Sequence, residues 1–108
     1  LGMAADAVLL GTDPGAVDLV ANTIPVAATE PHADLLAARA GAVFDVVYDP
    51  WPTPLGAAAQ REGRIGLNGL DLLAGQAVDQ FLLLTGRPIT FELARSAAGR
   101  ELRARAAL

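Results

Sequence analysis

Apolar residues in this chain occur in short runs, each interrupted by polar, glycine or proline residues. Four of these runs are too short for helices and are bounded by turn-forming residues, which is typical of buried strands. The runs that predict strands cover residues 7–10, 17–21, 43–48 and 64–67. The run at 43–48 is the most distinctive, because three prolines within five residues follow it and prevent regular structure directly after the strand.

Other segments have apolar positions at helical spacing. They predict helices over residues 31–39, 55–62, 69–85 and 91–107. Thr53 before Pro54 is a suitable N-cap for the second of these helices. Asn68 is a suitable N-cap for the third, and Asp71 is placed to complete a capping box with it. The caps therefore predict where both helices begin.

The helix at 69–85 is the longest predicted element and is apolar around most of its circumference. One stripe is expected to face a core. Its members are Leu70, Leu73, Ala74, Ala77, Phe81 and Leu84. A second stripe combines two amides with leucines, at Leu72, Gln76, Gln80 and Leu83. This pattern predicts a helix that is covered on several sides. The last helix, at 91–107, is predicted to be amphipathic, with its arginines solvated.

Alternation of strands and helices predicts an α/β fold with a parallel sheet and flanking helices. Right-handed crossovers bring the carboxyl ends of parallel strands to one edge of the sheet. Polar or special residues lie at three of the predicted ends, at 22–23, 48–49 and 68–69. We therefore expect these three positions to meet at one crevice, the usual ligand site of such sheets.

Composition limits the class of protein. The 108 residues suffice for one domain or for part of a larger one. No apolar run approaches the roughly 18 to 20 residues that span a membrane. A net charge of −4, with eight arginines and no lysine, argues against a nucleic-acid surface. There is no cysteine and only one histidine, so we expect no metal site and a cytoplasmic location. The start lacks Met and a signal peptide, which suggests an internal segment.

Taken singly, the candidate site residues have ordinary structural interpretations. Tyr48 at a strand end is typical of an aromatic residue at the rim of a sheet, and Gln76 of a solvated or interhelical amide. Asp45 within an apolar strand is expected to be structural, because a buried carboxylate needs hydrogen-bond donors. His32 is expected at the surface near a helix start. Trp51 is either part of a lid or packed in the protein.

Three blocks in the right order and spacing resemble the carboxy-terminal half of shikimate dehydrogenase. The blocks are residues 18–25, residues 44–50 with 53–55, and residues 68–73 with Gln76, Ala77 and Phe81. The resemblance covers roughly residues 17–86. It implies an oxidoreductase that uses NADP to interconvert 3-dehydroshikimate and shikimate in aromatic amino-acid (chorismate) biosynthesis. It also implies a partial Rossmann-like sheet, followed by carboxy-terminal helices.

The resemblance implies specific roles and an organisation in two parts. Residues 1–68 would form half of the NADP-binding domain, and residues 69–108 would return to a catalytic domain that is missing here or supplied by another chain. Tyr48 and Gln76 would contact the substrate. Six residues would contact the cofactor: Asn22, Thr23, Ile24, Val46, Gly69 and Leu72.

The sequence departs from the family pattern in several places. Ile24 stands where the family commonly has threonine, and Leu72 where it often has methionine. The family's catalytic lysine and aspartate and its glycine-rich phosphate loop have no counterpart here, so no catalytic residue is expected in this chain. We therefore expect the isolated chain to be inactive. Two alternatives remain: a non-catalytic remnant or interaction module, and a relative that acts on quinate. The preference between NADP and NAD is also open.

Overall fold

The computed structural model describes residues 2–108 and contains a three-stranded parallel sheet in the order β1-β2-β3. The strands are β1 (Val17–Asn22), β2 (Ala40–Asp45) and β3 (Ile65–Asn68). The helices are α1 (Val26–Thr29), α2 (Ala33–Arg39), α3 (Pro54–Arg61), α4 (Gly69–Thr85) and α5 (Phe91–Ala106), with a 3-10 turn at Glu30–His32. The predicted α/β architecture with a parallel sheet is confirmed.

The three strands end at one edge of the sheet, as predicted, but the central strand ends at Asp45 and not at residues 48–49. In the sheet register, Asn22 pairs with Asp45, and Asp45 pairs with Asn68. These three residues are the last of their strands, and all three are buried. The carboxyl ends of the strands therefore form one continuous row of polar side chains.

The hydrophobic core lies on one face of the sheet, where α2 and α3 pack against the strands. Val43 from the central strand and Leu55 from α3 are its largest apolar side chains. The other fully buried members are alanines: Ala33, Ala37, Ala40, Ala58 and Ala59. Because alanine side chains are small, the two helices approach the sheet and each other closely.

The opposite face of the sheet is largely open. Leu19 is 52% exposed and Ile65 66% exposed, and Leu67 beside them is also exposed. An apolar groove of about 350 Å³ runs along this face and is lined by Leu19, Phe44, Leu67, Asp71, Leu72 and Phe91. Parallel sheets are usually covered on both faces, so this sheet presents an apolar surface that its own helices do not cover.

Two strand predictions need correction. Residues 7–10 form no strand; they are exposed and have no strand beside them to supply hydrogen bonds. The central strand covers Ala40–Asp45 and not 43–48, so it includes Gly41 and ends three residues earlier than predicted. It ends there because β3 turns into α4 after Asn68, which leaves Val46 with only the Asn22 carbonyl as a ladder partner. Tyr48 consequently lies in a loop.

The predicted start and end of α4 are confirmed. The Asn68 side chain accepts hydrogen bonds from the backbone N–H of Leu70 (2.9 Å) and Asp71 (3.2 Å). Asp71 completes the capping box by accepting from the backbone N–H of Asn68 at 2.8 Å. At the other end, Gly86 adopts φ 71°, a left-handed conformation that favours glycine and ends the helix. Thr53 caps α3, also as predicted.

The expected burial around α4 is wrong for most of the helix. Only Leu70 and Ala74 of the predicted core stripe are buried, and Leu84 is 85% exposed. The physical reason is that α4 packs mainly on α5 and briefly on β3, so no further layer covers its remaining sides. The apolar residues around α4 are typical of a helix that packs against more elements than residues 2–108 provide.

The arginines of α5 are exposed as predicted, with one exception. Arg95 is half-buried, and its Nε donates to Oδ1 of Asp71 at 2.6 Å. This ion pair joins α5 to the first turn of α4. The amino-terminal parts of α4 and α5 are thereby held together, next to the end of β3.

None of the helices in residues 2–108 is long and apolar enough to cross a membrane. Over the same range, no group of three or more histidine, cysteine, aspartate or glutamate side chains is arranged to hold a metal ion.

An ion pair attaches the segment before β1 to α2. The Arg39 guanidinium donates to both carboxylate oxygens of Asp13, at 2.8 and 2.6 Å, and the Gly15 N–H donates to the same carboxylate. The Arg39 hydrogen bonds are the main cause that lowers the pKa of Asp13 from 3.8 to about 2. Because the pKa is lowered in the folded chain, this contribution to folding is complete above pH 3.8 and is lost as pH falls through about 2.

We expect an NMR titration of the Asp13 carboxyl carbon to have its midpoint near pH 2. Arg39→Gln should move that midpoint back toward 3.8, because the main hydrogen-bond donor is gone. Arg61→Gln, which breaks the separate pair with Asp34, is the matched control and should leave the Asp13 midpoint in place. An unchanged midpoint in Arg39→Gln would contradict this assignment.

Candidate functional site

The carboxyl edge of the sheet is organised by Asp45, whose side chain is 1% exposed. One of its oxygens accepts from the Asn22 amide (3.1 Å) and from the Val47 backbone N–H (3.3 Å). The other oxygen accepts from the Thr53 hydroxyl at 2.8 Å. Asp45 therefore joins the end of β1, the loop after β2 and the start of α3, and the structural role predicted for it agrees with these contacts.

Asn22 is the second member of this network. Its amide donates to the Ile24 carbonyl and to Asp45, both at 3.1 Å, and its side-chain oxygen accepts from the Thr29 hydroxyl at 2.8 Å. Both hydrogens of the amide are thus used within the chain. These contacts fix the turn after β1, and a cofactor contact by Asn22 stays a prediction.

Tyr48, Val46 and Gly69 lie together at the end of the central strand. A Cβ atom on Gly69 would collide with the Val46 carbonyl oxygen and would lie 2.9 Å from Cδ1 of the Tyr48 ring. The loop after β2 therefore crosses directly over the first residue of α4. Only glycine fits at position 69, because the Val46 backbone and the Tyr48 ring approach its Cα too closely for a side chain. The Asn68 cap fixes where α4 begins and so fixes the position of Gly69.

A cleft of about 570 Å³ opens beside Tyr48. One side is formed by Val46, Val47, Tyr48 and Asp49, and the other by Leu102, Arg105 and Ala106 of α5. A smaller cavity of about 160 Å³ adjoins it and shares Tyr48, Leu102 and Arg105. The cleft combines a phenol, a carboxylate and a guanidinium with apolar walls, which suits a small polar ligand.

The remaining predicted site residues are all exposed and do not line the Tyr48 cleft. Thr23 and Ile24 are exposed in the turn after β1. Leu72 lines the apolar groove on the open face of the sheet and is not among the residues that line the Tyr48 cleft. Gln76 is exposed on α4. Contacts of these four residues with substrate or cofactor stay predictions.

Two features of the site were not predicted from the sequence. The contribution of Leu102 and Arg105 depends on how α5 folds back toward the loop after β2, and no local pattern indicates that approach. Trp51, for which a lid and a packed position were both open, is packed: its ring lies 2.7 Å from where a Cβ on Gly56 would be. Gly56 in the following helix was the one sequence feature that could have indicated this packing, because a glycine leaves room for the ring.

Comparison with known proteins gives a consistent result. No protein-family model matches the chain. The curated shikimate dehydrogenase (NADP(+)) of Oleidesulfovibrio alaskensis is 37% identical over 87 residues, covering 73% of this chain and 31% of that protein. Among solved structures, the Mycobacterium fortuitum shikimate 5-dehydrogenase has a TM-score of 0.66 and 44% identity, covering 75% of this chain and 30% of its own. The Mycobacterium tuberculosis shikimate dehydrogenase has a TM-score of 0.68 and 36% identity, covering 80% and 32%.

These comparisons confirm the resemblance and the fold that the sequence predicted. The partial Rossmann-like parallel sheet and the helices that follow it match the solved structures. The chain spans about a third of the length of these relatives.

Proposed function

We propose that this chain, which resembles part of shikimate dehydrogenase, forms one wall of the active site of an NADP-dependent enzyme that interconverts 3-dehydroshikimate and shikimate. The observation that supports the proposal most directly is the position of Tyr48. It lies at the carboxyl end of the central strand and against Gly69, at the edge where parallel sheets bind ligands.

The proposed roles follow from the chemistry at this edge. Tyr48 offers a hydroxyl to the substrate from a loop that Asp45 holds in place. Val46 and Gly69 would lie beside the nicotinamide, as the resemblance implies. The absence of a side chain at Gly69 lets the loop with Val46 and Tyr48 approach α4 closely, which holds that wall of the site in place. Gln76 would donate its amide to a substrate hydroxyl. NADP, when bound, supplies the hydride chemistry, and the cleft of about 570 Å³ has the size of small-molecule sites.

We also propose that the catalytic acid and base come from another segment or chain. The length of the relatives supports this, since about two thirds of each has no counterpart here. The open face of the sheet and the exposed leucines of α4 supply apolar surface for such a partner. In this arrangement residues 1–68 belong to the nucleotide-binding part, and residues 69–108 pack against the catalytic part.

The first test is an assay of shikimate-dependent NADP reduction. We expect no turnover by the purified chain, because it has no lysine to act as general acid or base. We expect activity after fusion to the amino-terminal two thirds of the Mycobacterium tuberculosis enzyme. Within that fusion, Tyr48→Phe should lower kcat/KM about tenfold or more, since it removes one hydrogen bond to a charged or strongly polar substrate group.

Two controls make the result interpretable. An assay of the amino-terminal segment of the Mycobacterium tuberculosis enzyme by itself gives the activity that is present without this chain. An assay of the fusion with quinate in place of shikimate tests the related substrate. Turnover by the purified chain would contradict the need for a partner. A folded fusion that is inactive with both substrates would contradict the proposed function itself.

A further inference from the structure

Positive charge is concentrated on the last helix. Four of the eight arginines lie on α5, at positions 95, 100, 103 and 105, although the helix has only 16 residues. Its acidic residues are Glu92 and Glu101, and Glu101 pairs with Arg105 at 2.9 Å. Within residues 2–108, the ion pairs include neither Arg100 nor Arg103. One side of α5 therefore has guanidinium groups in excess.

Two of these guanidinium groups converge on the same glycine. A Cβ on Gly99 would lie 3.3 Å from Nη1 of Arg103 and 3.7 Å from Nη1 of Arg95. Arg95 and Arg103 are each four residues from Gly99, so they approach it from opposite directions along the helix. Gly99 is consequently buried beneath them. An alanine Cβ at this position would require the Arg103 guanidinium to shift by a few tenths of an ångström.

The converging side chains form a cleft whose polar side chains are all hydrogen-bond donors. Its volume is about 360 Å³, and it is lined by Arg95, Ser96, Gly99, Arg100 and Arg103. The lining offers three guanidinium groups and one hydroxyl, all of them hydrogen-bond donors, and contains no carboxylate. Asp71 lies outside this lining, and each of its oxygens already accepts a hydrogen bond, one from Arg95 Nε and the other from the Asn68 N–H.

The contact with Asp71 also orients Arg95. Because Nε is held at 2.6 Å from Asp71, the outer end of the guanidinium is directed over Gly99 with donors to spare. Bringing like charges together is unfavourable unless an anion lies between them, and planar guanidinium groups match the oxygens of phosphate.

We propose that this cleft of α5 binds a phosphate group, either as the free ion or as the phosphomonoester of a larger molecule. Arg95 and Arg103 hold it from two sides over Gly99, and Arg100 and Ser96 complete the donor set. The site is distinct from the Tyr48 cleft, and the proposal is independent of the proposed function, because it depends only on residues of α5 and their contact with α4.

The test is an NMR titration of the chain with inorganic phosphate at constant ionic strength, following the backbone amides of Ser96 and Gly99. We expect a saturable shift. Arg103→Gln should weaken binding about tenfold or more, the effect of losing a charge-assisted contact. Arg87→Gln is the matched control: it removes the same charge from an exposed arginine outside the cleft and should change affinity less than about twofold.

A second variant and a second ligand sharpen the result. Gly99→Ala keeps every charge and shifts the Arg103 guanidinium by only a few tenths of an ångström, so it should weaken binding less than Arg103→Gln does. Tighter binding of adenosine 2′-monophosphate than of phosphate would identify a nucleotide as the source of the group, and equal binding would identify phosphate alone. The proposal is overturned if neither ligand gives a saturable shift, or if Arg87→Gln and Arg103→Gln weaken binding equally.

Discussion

Alanine at position 69 is expected to destabilise the folded chain by about 2–4 kcal/mol. The added Cβ would overlap the Val46 carbonyl oxygen and crowd the Tyr48 ring. Val46 cannot move aside easily, because its N–H is bonded to the Asn22 carbonyl at 3.1 Å. Gly69 is also fixed, since it follows a residue whose side chain and backbone are both held in the capping box.

The expected sign is opposite to the usual effect of this substitution in a helix. Gly75→Ala in the same helix is the matched control, because a Cβ there would meet nothing within 4 Å. That variant should gain about 0.5–1 kcal/mol, the normal advantage of alanine over glycine in a helix. Denaturant unfolding followed by circular dichroism measures both changes. A Gly69→Ala chain as stable as the original would show that the loop after β2 is not held where the structure places it.

Removal of the Asp45 carboxyl group is expected to cost more than any other single truncation at the site. Asp45→Ala leaves the buried Asn22 amide and Thr53 hydroxyl, and the partly buried Val47 N–H, without this acceptor. Each unsatisfied buried group costs about 1–3 kcal/mol, so we expect a loss of about 3–5 kcal/mol in the free energy of unfolding. Folded domains have only about 5–15 kcal/mol in total, so the variant is expected to be almost fully unfolded at the melting temperature of the original chain.

Two further variants show whether the stability lost in Asp45→Ala comes from its hydrogen bonds or from the loss of a negative charge. Asp45→Asn retains one oxygen for Asn22 and Val47 and should lose less, about 1–2 kcal/mol. Asp49→Ala removes the same carboxyl group from an exposed position in the same loop and should stay within about 0.5 kcal/mol of the original. Thermal and urea unfolding of the three variants tests the order. Equal losses in Asp45→Ala and Asp49→Ala would contradict the role given to the network.

Sequence patterns predicted a helix boundary well where the residues that set the boundary lie close to it in the chain. The caps of α3 and α4 depend on side chains within three residues of the helix start, and Thr53, Asn68 and Asp71 act as predicted. The alternation of strands and helices correctly predicted that the strand ends share one edge, but Asp45 and not the expected residues 48–49 lies between Asn22 and Asn68. The end of β2 was misplaced because it depends on where the neighbouring strands stop, which the run at 43–48 does not contain.

The sequence by itself determined the parallel α/β order of this protein, the starts of α3 and α4, the resemblance to shikimate dehydrogenase and the polar residues at the ends of β1 and β3. These depend on periodicity, capping and short motifs, all of which are properties of neighbouring residues. Only the tertiary structure decided that Tyr48 lies over Gly69, that Asp45 bonds to three separate segments, and that one face of the sheet and most of α4 are exposed. It also decided that Arg95 and Arg103 converge on Gly99. Such features arise from contacts between elements, and the order of residues along one element does not specify the distance to another.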